Sequence, residues 1–167
     1  QFFASEYAVL TLTRIMVLAI YAVGYNLLFG YAGLLSLGHA MFFACGLYVA
    51  AIGTTQGGLS VPVALVLSII AGFFVSVGLG AIILRASGVA FMIVTLMFSQ
   101  AAFLTVLYFG EYTRGDEGIV IPDTIRKFTF LGIPADLTDA VFRYNLALVF
   151  LACAVALTFV LVRSHFG

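Results

Sequence analysis

The chain has 167 residues, 64% of them hydrophobic and 8% charged, with seven basic and seven acidic side chains and a mean hydropathy of +1.23. Soluble domains carry about 25% charged residues, whereas here Arg85 is the only formally charged residue between Ile15 and Gly110. That excludes a soluble globular domain, and the zero net charge offers no basic surface for nucleic acid.

An apolar helix needs about 20 residues to cross a bilayer. Spans are predicted at residues 7–29, 39–55, 62–84, 88–109 and 144–162. The alternating polarity of membrane β-strands is absent. The fold class is therefore all-α: a polytopic transmembrane helical bundle of about five spans. It has a broken or tightly turned segment at 30–38 and a polar outer loop at 111–143.

In the first span, Arg14 lies about 10 Å from the helix start at 1.5 Å per residue. It either snorkels to the outer surface or serves as a buried counter-charge. Next comes "GYAGLLSLGHAMFFACG", residues 30–46, with glycines at 30, 33, 38 and 46. Each glycine inside a helix costs about 1 kcal/mol relative to alanine, so this stretch calls for special backbone or close helix contact. Two readings fit. One is a tight turn with close-packed glycines. The other is a broken helix that exposes backbone along a solute path, which membranes tolerate only where protein or water covers it. The candidate pathway residues are Gly30, Gly33, Ser36, Gly38, His39 and Phe42. Ser36 and His39 have no acid or second base near them in sequence, so hydrolase chemistry is not indicated and no catalytic residue is assigned.

In the third span Ser68, Gly72, Ser76 and Gly80 recur every four residues and share one face. Such small-residue faces let membrane helices pack closely; a substrate groove is the alternative. The fourth span follows after a turn of three residues and carries Thr95, Ser99, Gln100 and Thr105. Serine and threonine can bond to their own preceding turn. Gln100 calls for a partner helix or a wet cavity, so Thr95 and Gln100 join the candidate pathway residues. Cys45 and Cys153 both fall in apolar runs and read as small packing residues, with no metal site or disulfide implied.

Residues 111–143 hold ten of the fourteen charged side chains. Within them "IVIPDTIRKFTFLGIP" suggests a short strand pair or an amphipathic turn at the membrane surface. Positive charge favours the cytoplasm, which puts Arg85, Arg163 and His165 inside and the loop outside. Counting back puts Gln1 outside as well, so a further span upstream is expected.

"YNLLFGYAGLLSLGHAMFFACGLYVAA", residues 25–51, closely resembles the signature of LivM-type permeases, the membrane subunits of bacterial branched-chain amino acid ABC importers. Asn26, Gly30, Tyr31, Gly33, Ser36, Gly38, His39, Phe42, Gly46 and Tyr48 fit that signature, and Leu47 stands where alanine is usual. "RASGVAFMIVTLMFSQ" (85–100), "TRGDEGI" (113–119) and "LVRSHFG" (161–167) are similar to later family segments in the same order. Ala90, Ile93 and Arg114 depart from the pattern, Arg114 replacing a glycine. The resemblance implies a permease subunit for leucine, isoleucine, valine or related small solutes in the inner membrane. It also implies a homologous LivH-like permease, two cytoplasmic ATPases that hold ATP and Mg, and an external binding protein as partners. Further helices are expected before residue 1 and after residue 167. No cofactor belongs in this chain, which lacks a G-x-x-x-x-G-K-[ST] loop. The alternative is an ATP-independent channel or secondary transporter. A secondary transporter would call for a membrane carboxylate, and none falls within a predicted span.

Overall fold

A computed structural model describes residues 6–130 and 133–164; Gln1, Gly132 and the His165 end of the "LVRSHFG" segment lie outside the described residues. The helices are α1 (Glu6–Asn26), α2 (Ala40–Thr55), α3 (Val61–Ile83), α4 (Val89–Tyr108), the one-turn α5 (Gly110–Thr113) and α6 (Ala140–Arg163). A π-helical turn, Leu27–Tyr31, extends α1, and a 3₁₀ turn, Gly115–Glu117, follows α5. Two short strands, β1 (Lys127–Phe130) and β2 (Ile133–Asp136), occupy the polar stretch. The chain divides into two compact units, one made of residues 6–33 with 133–164, the other of residues 34–130.

The first unit pairs α1 with α6. Asp139 caps α6, its Oδ1 accepting from the Val141 N–H at 3.1 Å, which satisfies one orphan donor of the first turn. Ala140 and Ala147 are buried, while Val141 and Asn145 between them are exposed. Small side chains at the contact are what helix association in lipid favours. Thr13 and Thr158 donate to carbonyls one turn earlier, Val9 O and Ala154 O, both at 2.8 Å, so neither hydroxyl needs a partner helix. At its far end Arg163 lies over the Phe159 ring, 4.7 Å from the centroid.

In the second unit α2 and α3 form a close antiparallel pair. Ser60 in extended backbone and Pro62 in the first turn start α3, as proline without an N–H favours. Gly53 packs against Leu59 and Ala64, with Ala64 only 1% exposed. Met41, Ile83 and Phe91 bring α2, the end of α3 and the start of α4 into one apolar cluster, flanked by Leu34, Phe42 and Phe98. The outer faces are greasy: Phe73, Phe74 and Ile69 of α3 are each about two-thirds exposed. In water that would be an aggregation surface; in lipid it is the solvent-matched face.

Among the described residues, four helices are long and apolar enough to cross a membrane: α1 with its π turn, α3, α4 and α6. The segment predicted at 39–55 is helical only over the 16 residues of α2. At 1.5 Å per residue it is about 24 Å long, short of a hydrocarbon core of about 30 Å. The reason lies in where α2 begins.

Candidate functional site: a turn against helix α4 and a groove beside it

Helical backbone stops after Tyr31 and resumes at Ala40. Gly33 has φ +67°, a left-handed conformation that glycine adopts without steric cost. The segment then lies against α4. The Leu37 N–H donates to Thr95 Oγ1 at 3.1 Å, and Thr95 Oγ1 donates to Met92 O at 2.9 Å. One hydroxyl thus serves a backbone donor that has no helical partner and also satisfies itself. Gly38 sits so close that a Cβ there would overlap the Thr95 carbonyl oxygen and stand 2.8 Å from its carbon. Ser36 and Thr95 are buried.

Thr95 is six residues into α4, about 9 Å from its start. The turn therefore enters the unit well below that helix end, and α2 starts from this depth. Its short length follows. The Met41 N–H donates to Gly38 O at 3.1 Å and the Phe42 N–H to His39 O at 3.3 Å, closing the first turn. The His39 ring stands edge-on to Phe42, 6.2 Å between centroids.

Between α2 and α4 runs a groove of about 650 Å³. One wall carries Ala40, Met41, Ala44, Cys45, Tyr48, Val49 and Ile52; the other carries Ser99, Ala102, Phe103, Thr105 and Val106. Gly115 and Asp116 close one end. Ala40, Ala44, Tyr48 and Ile52 step by four residues and so share one face of α2. Small residues at Ala44 and Ala102 leave the space open.

The closing turn is tied down. Thr113 is buried, with its Oγ1 2.6 Å from Val106 O and 3.0 Å from Phe109 O, and it accepts from the Gly115 N–H at 3.2 Å. Arg114, which stands where the family pattern has glycine, has φ +58°. A glycine there would meet no left-handed penalty. The Gln56 side chain donates to Tyr112 O at 2.7 Å, joining the α2–α3 connection to the same turn.

The structure gathers Ser36, Gly38, His39, Phe42 and Thr95 into one cluster, with Phe42 against the apolar core. None of these five lines the groove. Gly30 belongs to the π turn, where an added Cβ would stand 2.6 Å from Asn26 Oδ1. Gln100 is exposed on α4, outside the groove lining. Along α3, Ser68 Oγ donates to its own Leu65 O at 2.8 Å, and Gly46 lies opposite with a Cβ position 4.0 Å from Ser68 O. Cβ atoms at Gly72 and Gly80 would meet nothing within 4 Å among the described residues, and Ser76 is exposed. Cys45 and Cys153 are free thiols. Asp116, Cys45 and Tyr48 were not among the candidates from sequence. The four-residue step through 40, 44, 48 and 52 and the "TRGDEGI" turn are the signals that point to them.

Among the described residues, four apolar helices of crossing length mark a multi-pass membrane protein, and the non-helical segment before α2 lies against α4. Residues 7–167 match the family described as "Branched-chain amino acid transport system / permease component", and the chain belongs to that family. It is similar to the "High-affinity branched-chain amino acid transport system permease protein LivM" of Salmonella typhimurium, at 35% identity over 136 residues, 79% of this chain and 30% of the relative. The protein of the same name in Escherichia coli K12 is 34% identical over 125 residues, 72% of this chain and 28% of the relative. The chain thus spans about 30% of the length of these relatives. No solved structure matches at a significant level.

Proposed function

We propose that this chain forms part of the translocation pathway in the permease subunit of a bacterial inner-membrane ABC importer for branched-chain amino acids or related small solutes. The observation that carries this reading is the family match over residues 7–167. The chain supplies no ATP site. Energy would come from two partner ATPases holding ATP and Mg, the second half of the pathway from a LivH-like permease, and solute from an external binding protein. Additional helices of the same subunit would complete the membrane domain. In this arrangement Arg85 and Arg163 face the cytoplasm, and the 111–143 loop receives the binding protein outside.

Within the pathway, Gly30, Gly33, Ser36, Gly38, His39 and Phe42 would form the broken-helix wall. Thr95 would hold that wall through its bond to the Leu37 N–H, and Gln100 would face a neighbouring helix or the solute. The Ser68, Gly72, Ser76 and Gly80 face would pack against a partner helix, its outer three positions being uncovered in this chain.

Purifying the full-length polypeptide from native membranes and identifying its associated subunits by mass spectrometry tests the reading. Recovery of two ATPases and a related permease, with ATP-driven leucine uptake after reconstitution, is the expected result. Recovery as a homo-oligomer with no ATPase would overturn it in favour of a channel.

A further inference from the structure

We propose that the second unit is a hinged pair of arms, α2–α3 against α4, with the Gln56–Tyr112 hydrogen bond as a clasp that releases at the open end. That the opening faces outward and serves transport rests on the function proposed above; the hinge and the clasp rest on the contacts of the unit itself.

The difference between the two ends of the unit carries the inference. α2 begins where Leu37 and Gly38 meet Thr95 near the start of α4, and it leads to Gln56, which reaches Tyr112 just past the end of α4. The two helices therefore run the same way and are tied at both ends. At the first end the tie is buried apolar surface: Met41, Ile83 and Phe91, each at most 6% exposed, join α2, α3 and α4. The short connection from Leu84 to Gly88 holds α3 to α4 there as well. At the second end the tie is an exposed side chain. Gln56 and Tyr112 both face solvent, and a neutral hydrogen bond that exchanges with water is weak and readily remade. Between the ties, the groove of about 650 Å³ separates α2 from α4. Local opening is cheapest where buried contacts are few and hydrogen bonds are exposed.

Each arm is stiff in its own right, so the bond joins two bodies and not two loose loops. On the α2–α3 side the N–H groups of Gln56 and Gly57 donate to Ile52 O at 2.9 and 3.1 Å, and the Leu59 N–H donates to Gly53 O at 3.0 Å. On the α4 side Thr113 Oγ1 donates to Val106 O at 2.6 Å and ties the closing turn to the helix. Opening is then a rotation about the apolar end. Over α2, about 24 Å long, a tilt of about 10° parts Gln56 from Tyr112 by about 4 Å. That is enough to break the bond.

Paired nitroxide labels test the hinge and the clasp together. The full-length protein is assembled with its co-purifying subunits in proteoliposomes, with Cys45, Cys153 and any other cysteine replaced. Pulsed electron–electron resonance then reads Ser60→Cys with Glu117→Cys across the clasp, and Ala40→Cys with Ser87→Cys across the apolar end, all four positions being exposed. The expected result is two distances for the first pair, about 4 Å apart, and a single distance for the second. The ratio of the two should differ between the nucleotide-free and the ATP–vanadate-trapped complex. Gln56→Ala should raise the open-to-closed ratio about fivefold, the effect of losing one neutral hydrogen bond. A single distance across the clasp in every state would overturn the proposal. So would equal shifts in both pairs, or a ratio that Gln56→Ala leaves unchanged. The comparison of nucleotide states needs no substitution at Gln56, so a misfolded Gln56→Ala protein leaves the test intact. Joining Gln56→Cys to Tyr112→Cys with a short bifunctional thiol reagent should lower ATP-driven leucine uptake at least about tenfold, with recovery on reduction. Full uptake by the cross-linked complex would overturn the proposal. Absence of ATP-driven uptake in the unmodified complex would sink the transport role alone, because the two label pairs would still report on the clasp.

Discussion

At Gly38 an added methyl would overlap the carbonyl oxygen of Thr95, a backbone atom held inside α4. Backbone cannot rotate aside as a flexible side chain can, so the whole turn would have to lift. Gly38→Ala should therefore cost toward the upper end of the about 1–3 kcal/mol typical of overpacking. It should also break the Leu37–Thr95 hydrogen bond. The expected outcome is a lower thermal-inactivation temperature in detergent and faster amide exchange at Leu37. Arg114 presents the opposite case. Its φ of +58° is one that a Cβ disfavours by about 1–2 kcal/mol, while glycine carries an entropic penalty of about 0.5–1 kcal/mol. Arg114→Gly should thus gain up to about 1 kcal/mol, seen as a rise in midpoint temperature with transport unimpaired.

Among the elements, the α2–α3 pair shows how small residues set helix approach in this chain. Ala64 is 1% exposed and stands 3.8 Å from where a Gly53 Cβ would be. There is no room for a branched side chain. Ala64→Leu should cost about 1–3 kcal/mol by overpacking, whereas Val66→Leu, at an exposed position on the same helix, should change thermal stability by under about 0.5 kcal/mol. The positions of these helices were legible in the sequence because apolar runs bounded by Pro62, Arg85 and the polar 111–143 stretch mark them directly. The start of α2 was legible as well, predicted at residue 39 and observed at Ala40, but what that start packs against was not. Only the contact of Leu37 and Gly38 with Thr95 shows that the chain meets α4 about two turns from its start before α2 begins. The repeat of Ser68, Gly72, Ser76 and Gly80 was equally visible, yet of its four positions only Ser68 meets α2, opposite Gly46, and the closer packing falls at Gly53 and Ala64. Periodicity shows which residues share a face, not what covers it.

For the molecule as a whole, the proposed orientation makes a sided prediction. With Cys45 and Cys153 replaced, single cysteines at Ser60 and Glu117, both exposed, should react with an impermeant thiol reagent from the outer face of intact cells. A cysteine at Ser87, in the α3–α4 turn beside Arg85, should react only after the inner face is opened. Labelling of Ser87→Cys from outside would invert the topology and move the Asp116 end of the groove to the cytoplasm.

Sequence by itself determined the membrane character, the helical class and the family, and it marked residues 30–38 as either a tight turn or a break. Hydropathy adds up residue by residue along a segment, and glycine marks local backbone whatever lies around it. Tertiary structure alone decided that Thr95, 58 residues from Leu37, carries the hydrogen bond that holds the break. It also decided that Asp116 turns toward a groove between α2 and α4. Both depend on which surfaces meet when helices pack, and that geometry is a property of the folded unit that no single segment encodes.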